Sequence, residues 1–448
     1  MAAPGGVRLN ARPMPELERR ARQEMPRQHV LAETLQALMV RWTQDELDAA
    51  REPWPHAFME RQTGLFPVGE VSVIAAAGRE GKTTVKIAVA VAMVTGHSLA
   101  GMCPAERCSV IVYSAEDDRA QYARKVGAQL ELLNELHRKL VRDRLFVPNL
   151  DDAGTAAART LVMVLEGQPI PSGTADAVIE AVRPMLSWED PPGLLIFETA
   201  STLSEAEESN PGFRALVLTL KRIARELQLP VVLSHHVSQA SLAGLPDLNL
   251  STADIRGGTA LVNNARQTAI LVNLGSDEDP FPEADARTIL RRMVADGAPE
   301  HITALVTLDS SKGMTPPPIF FRWEQTDFGP AAIEHDPPHH LIGRSWRKVL
   351  EMVRAERAGL REMAKDARAS TKASERVSKA VEAVAQLLAA EPAKPVTQSR
   401  VAAQAAWSAG VAKDALRKAV EAGELIAAEV VSGGNKTTGY LLAEDPDA

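Results

Sequence analysis

The segment Val71-Ser-Val-Ile-Ala-Ala-Ala-Gly-Arg-Glu-Gly-Lys-Thr-Thr-Val gathers the residue types that grip a phosphate chain. A short apolar run leads into small residues, and a lysine with two threonines opens a helix. Backbone N–H groups in such a turn curl around phosphate oxygens, and the positive end of the helix adds to their field. On this reading Ala77, Gly78, Arg79, Glu80, Gly81, Lys82, Thr83 and Thr84 form the binding loop. Lys82 reaches the β- and γ-phosphates of a triphosphate, and the Thr83 hydroxyl holds Mg²⁺. Ala76 stands where such loops usually begin with glycine, a change tolerated where φ stays negative.

Three later apolar runs end in groups suited to cleaving a triphosphate. Val110-Ile-Val-Tyr-Ser-Ala-Glu-Asp-Asp ends in acids, and Glu116 is the candidate for orienting the attacking water. Asp117 and Asp118 fit equally well as caps of a helix beginning near Arg119. Gly193-Leu-Leu-Ile-Phe-Glu-Thr places Glu198 where a metal-supporting acid is expected. Most such sites use aspartate, and the extra methylene carries the carboxylate about 1.5 Å further out. Val231-Val-Leu-Ser-His-His offers His235 or His236 as a γ-phosphate sensor. Strand neighbours alternate, so the two rings cannot share a face, and His236 is assigned the role.

The elements that must position these groups follow from periodicity. Apolar runs at 71–75, 110–113, 194–197, 231–234, 269–272, 302–308 and 319–323 are expected strands, with helices over 83–95, 119–140, 174–186 and 212–228. Strand–helix alternation predicts an α/β fold with a mostly parallel central sheet covered on both faces. The last runs lack intervening helices and predict an antiparallel extension. Residues 1–55 read as a helical N-terminal arm, with helices over 31–40 and 45–51; residues 56–335 read as the catalytic domain. Residues 336–395 read as a helical linker region, with helices over 345–357 and 373–390. Residues 396–448 read as helix, turn, helix and hairpin, a winged-helix-like pattern carrying Lys413, Arg417, Lys418 and Lys436.

Composition limits the partners. At a net charge of −8 no global basic field draws the chain onto nucleic acid, so a local patch or a ring channel must do so. Cys103 and Cys108 alone cannot hold a structural zinc. Arg8, Arg12, Arg19, Arg20, Arg22 and Arg27 lack an apolar region beside them, so no secretory signal is read. No apolar stretch spans a bilayer, and a cytoplasmic protein without membrane contact is expected.

The order phosphate loop, Ser-Ala-Glu-Asp, apolar strand with acid, then His-His resembles the RepA-type hexameric helicases of plasmids and phages. These are relatives of the DnaB-like ring motors in the RecA superfamily. The likeness extends through Thr202–Pro211, through Ile255-Arg-Gly-Gly-Thr-Ala-Leu-Val-Asn-Asn-Ala-Arg-Gln, and to Ser310-Ser-Lys-Gly-Met. The resemblance implies a RecA-like ATPase domain, a homo-oligomer in a hexameric ring, ATP and Mg²⁺ as cofactors, and single-stranded DNA as partner. It implies Lys312 as a finger completing a neighbour's site, with Arg322 second. It also sets Arg256 and Arg266 toward the channel or the nucleotide, although either can instead pair with a carboxylate such as Asp254. The loop Gln239–Asp254 would face the channel, yet it holds Asp247 and Asp254 and no cation. With no zinc finger or acidic primase cluster in the sequence, priming or loading would fall to a separate protein. A recombinase or recombination mediator, and a DNA-binding regulator switched by ATP, are the rival readings.

Overall fold

The computed structural model describes residues 43–443 except 79, 107, 151–157, 207–209, 239, 256–257, 277–280, 284, 296–300, 393 and 433–434. The expected helix over 31–40, and the arginines before it, lie outside the described residues. So do Arg79, Arg256, the 207–209 part of the Thr202–Pro211 loop, and the Gly433–Gly434 turn. The described residues fall into two units, divided between Trp54 and Pro55. In the first, helix α1 (Gln44–Ala49) starts at a capping box, the Glu46 carboxylate accepting the Thr43 N–H at 2.7 Å while Thr43 Oγ1 accepts the Glu46 N–H at 3.2 Å.

In the second unit a small sheet of β1 (His56–Glu60), β2 (Thr63–Pro67) and β4 (Cys103–Pro104) precedes and flanks the main one. The strands of the main sheet are β3 (Val71–Ala76), β5 (Ser109–Ser114), β6 (Leu145–Phe146), β9 (Pro192–Glu198), β10 (Val231–His236) and β11 (Gln267–Asn273), with β12 (Ile302–Ser310), β13 (Ile319–Thr326) and β14 (Gly329–His335). Two short strands, β7 (Val162–Leu165) and β8 (Gln168–Pro171), pair by themselves. The nine strands run in the order β14-β13-β12-β11-β3-β10-β9-β5-β6. Strands β11, β3, β10, β9, β5 and β6 are parallel, and β12, β13 and β14 extend the sheet antiparallel.

Every residue of β3 and β5 is buried, as continuous apolar strands covered on both faces must be. One face packs on α2 (Lys82–Thr95) and α3 (Arg119–Glu131). The other packs on α5 (Thr174–Val182) and α6 (Asn210–Leu227). The helix expected over 119–140 is two helices, because Asn134 caps a new one, α4 (Glu135–Arg144), accepting the His137 N–H at 2.9 Å. The helix expected over 174–186 stops at Val182, and Pro184 sits in a 3₁₀ turn over Arg183–Ser187.

Helix α7 (Gly258–Asn264) precedes β11, and α8 (Ala286–Ala295) lies between β11 and β12. The two helices expected beyond residue 345 are one, α9 (Trp346–Ala390), 45 residues long. The segment between the expected halves is rich in Ala, Arg and Lys and holds no proline, so nothing breaks it. The end of α9 packs with β15 (Val396–Thr397), α10 (Gln398–Gln404), α11 (Ala409–Glu421), β16 (Leu425–Ser432) and β17 (Asn435–Leu442). Their core holds Val384, Val401, Leu416, Leu425 and Tyr440, and the sheet order is β15-β17-β16. Among the described residues no helix is long and apolar enough to cross a membrane.

Candidate active site

Parallel pairing brings the strand ends together. Ala76 is in register with His236, and Ser114 with Glu198, so the loop after β3 lies among the groups that end β5, β9 and β10. A crevice at the carboxyl ends of parallel strands is where open α/β sheets bind ligands. The loop turns into α2 at Gly81, whose φ of 75° lies in the left-handed region that favours glycine. Gly78 has no atom within 4 Å of where a Cβ would stand, so the outside of the loop is open.

Lys82 is the first residue of α2. Its Nζ donates to the Ala77 carbonyl at 3.4 Å and lies 3.1 Å from Nδ1 of His236. Burial depresses its pKa, with Glu116 and Glu80 drawing it back in part. His235 is fully buried against the Phe213 ring, at 4.9 Å between centroids, while His236 reaches the loop. The alternation expected from the strand therefore sets the two rings apart. Thr83 and Thr84 follow in the first turn, where backbone N–H groups have no partner within the helix.

Glu116 is exposed at the mouth of the site and acts electrostatically on Lys82. Asp118 is the cap of α3, accepting the Gln121 N–H at 2.7 Å, and Asp117 pairs with Lys125. Glu80 turns away from the loop interior. Its carboxylate accepts the Asn273 N–H at the end of β11, at 3.2 Å, and burial raises its pKa despite that bond and the nearby Arg287. Arg287 itself pairs with Asp285 at 2.7 Å.

Glu198 departs from an open, metal-facing acid. It is 1% exposed and its carboxylate is held by the Lys86 ammonium and by the Tyr122 hydroxyl, which donates to it. Lys86 lies one turn beyond Lys82 and is itself buried, which pushes its pKa well down. As a polar interruption of an apolar helix, Lys86 gives no hint of this contact in the sequence, because its partner is more than a hundred residues away. Among the described residues no three His, Cys, Asp or Glu side chains gather as a metal cluster.

Other expected residues lie elsewhere. Lys312 follows β12, whose Ser310 pairs with Gln267, whereas Leu271 pairs with Ala76 beside the loop. Four strand residues, about 13 Å, separate those two levels, so Lys312 sits toward the opposite end of the sheet from the loop after β3. Arg322 pairs with Glu324 at 2.6 Å. Arg266 approaches Glu70, at 3.9 Å, at the far end of β3. Asp254 caps its own turn through Ser251. The loop expected to face a channel is folded into 3₁₀ turns over Ala240–Asp247 and Thr252–Asp254, and it grips α9: Asp247 pairs with Arg357, and Arg354 donates to Asn249 at 3.2 Å. Sequence reasoning also missed Trp323, whose ring lies against Gly81 and whose Nε1 donates to Thr303 Oγ1 at 2.8 Å. No motif marks it, since it arrives from an antiparallel strand three places along the sheet.

A family model described as an AAA domain matches residues 33–241, a span that includes the loop, Glu116, Glu198 and His236. No curated protein matches the chain. A solved structure of a DnaB-like replicative helicase, described with its interactions with primase, is similar at 12% identity and a TM-score of 0.41. The match covers 64% of this chain and 64% of that one, so this chain spans less than two thirds of that helicase chain's length.

Proposed function

We propose that this chain is an ATP-hydrolysing motor of the RecA-like kind, working as a homo-oligomeric ring on single-stranded DNA. In its finer form the reading is a RepA-type hexameric helicase of plasmid or phage replication, with a separate primase or loader. The observation that carries it is the meeting of Lys82, His236 and Glu116 at the open loop after β3. The AAA-domain match over the same residues supports nucleotide binding.

The residues fit a triphosphate. The left-handed Gly81, the unpartnered N–H groups of the first helical turn and a lysine already aimed into the loop are what an anion of that shape requires. Mg²⁺ would rest on Thr83, phosphate oxygens and water, since Glu198 is engaged within the protein. Glu116 would orient the attacking water. His236, touching Lys82, would register the γ-phosphate and pass its loss into the loop that follows β10, which grips α9. Lys312, toward the other end of the sheet from the loop after β3, would serve a neighbour's loop.

The same engagement of Glu198 favours a second reading, an ATP-switched DNA-binding regulator whose hydrolysis is slow. The C-terminal unit, with the element order of a winged helix, would then do the binding. Its cations are largely self-neutralised, Arg417 pairing with Asp414 and Glu421, Lys418 with Asp414, and Lys436 with Glu429. Hydrolysis measured with and without single-stranded DNA, followed by unwinding of a forked substrate, separates the readings. Stimulated hydrolysis with unwinding is the expected result. ATP binding with neither would leave the switch.

A further inference from the structure

The middle of α9 carries a feature that neither the phosphate site nor the C-terminal unit uses. Arg354 and Arg357 begin a row that continues through Arg361, Lys365, Arg368 and Lys372 to Arg376 and Lys379, each three or four residues after the last. These are all the Lys and Arg residues between positions 354 and 379, and on an ideal helix they fall within an arc of roughly 100°. Of the four acids in the segment, Glu356, Glu362 and Asp366 lie off the arc and Glu375 at its edge. The row is about 37 Å long, with a cation at every turn.

The ends of the helix are buried and the middle is exposed, its first part lining an open groove with Glu283, Ile289 and Arg292. Trp346, Val349 and Val353 are buried against the ATPase body, and Ala380, Ala383 and Val384 against the C-terminal unit. Between them, residues 361–372 are exposed without interruption. Arg357 is paired with Asp247, and Lys365 lies 3.6 Å from Glu362. Among the described residues Arg361, Arg368, Lys372, Arg376 and Lys379 have no carboxylate within 4 Å. In a protein of net charge −8, eight cations sorted onto one face are a concentrated positive track.

We propose that this face of α9 binds the phosphate backbone of DNA. The helix has no aromatic residue after Trp346, so bases find nothing to stack on and the contact is independent of sequence. The proposal takes its polyanion from the DNA reading above but needs no nucleotide site. The Arg357–Asp247 pair joins the track to the loop that follows His236, so the two sites lie along one connected stretch of structure.

The test is binding of a labelled oligothymidylate, and of a duplex of equal length, to the full chain without ATP across a range of salt. The quadruple variant Arg361→Gln, Lys365→Gln, Arg368→Gln, Lys372→Gln is expected to weaken binding more than roughly tenfold. It is also expected to reduce the slope of log affinity against log salt by about 3, near 0.7 for each single-strand phosphate that is no longer neutralised. The arm with the higher affinity identifies the form of DNA bound. Replacing Lys413, Arg417 and Lys418 by Gln is expected to leave the slope unchanged. Unaltered affinity and slope in the quadruple variant, or loss of binding only in the C-terminal one, would overturn the proposal. Retained fluorescent-nucleotide binding reports an intact fold, and ATP hydrolysis is scored separately. A chain that binds DNA through α9 without hydrolysing ATP would end the motor reading and leave the track standing.

Discussion

The indole of Trp323 fills the position that a side chain on Gly81 would take: a Cβ there would lie 2.0 Å from Cη2 and 2.4 Å from Cζ2. The turn into α2 is thus held by the Gly81 φ of 75° and also by a ring from another strand. Gly81→Ala is expected to abolish nucleotide binding. Adding Trp323→Ala removes the collision and leaves the left-handed backbone cost of about 1–2 kcal/mol. Urea unfolding of both variants checks this. Equal stability of the single variant and the wild type would refute the lock.

The same contact makes Trp323 a reporter. Nucleotide entering the loop changes the surroundings of its ring, so tryptophan emission is expected to shift on titration with ATP. Trp323→Phe is expected to remove the shift while binding persists, as followed by a fluorescent nucleotide. A shift unaffected by that substitution would place its source at another tryptophan.

Lys86 and Glu198 form a buried pair, and removing one partner strands the other. Lys86→Met alone is expected to cost on the order of 3–5 kcal/mol, whereas Lys86→Met with Glu198→Leu costs less, because no charge remains uncompensated. A double-mutant cycle by denaturant unfolding measures the coupling. Additive losses would mean that the two side chains do not act as a pair.

Burial lowers the pKa of Lys82, so the folded chain releases that proton at a lower pH than the unfolded chain. The protonated form therefore opposes folding at neutral pH, and this cost fades as pH rises from the folded pKa toward the ordinary lysine value. Phosphate binding needs the ammonium, so nucleotide affinity is expected to fall over that same window, below the ordinary lysine range. Lys82→Arg is expected to keep whatever affinity it has through that window. An identical alkaline fall in both proteins would assign the effect to another group.

Much of the fold was legible because its strands are short apolar runs bounded by polar ends, as at Val71–Ala76 and Val231–His236. The loop was legible for the same local reason: small residues, Lys82 and Thr83 are contiguous. What sequence could not disclose depends on distant partners. Glu198 looks like an open acid until the fold sets it against Lys86 and Tyr122. Arg266 stands in the sequence between the channel and an acid such as Asp254, and the fold gives it Glu70, far away in the chain. The single long α9 reads as two helices because its middle lacks the apolar repeat that marks the ends. That middle is exposed to solvent on every face, as a helix joining two packed bodies can be.

The central claim is that a triphosphate binds in the loop after β3, with Lys82 as its principal cation. Equilibrium binding of a fluorescent ATP analogue, with the hydrolysis rate measured alongside, tests it in wild type and in Lys82→Ala. Binding and hydrolysis in the wild type, and loss of both by more than roughly a hundredfold in the variant, are expected; a charge-assisted hydrogen bond worth about 3 kcal/mol corresponds to that factor. A Lys82→Ala protein that binds and cleaves ATP like the wild type would contradict the account.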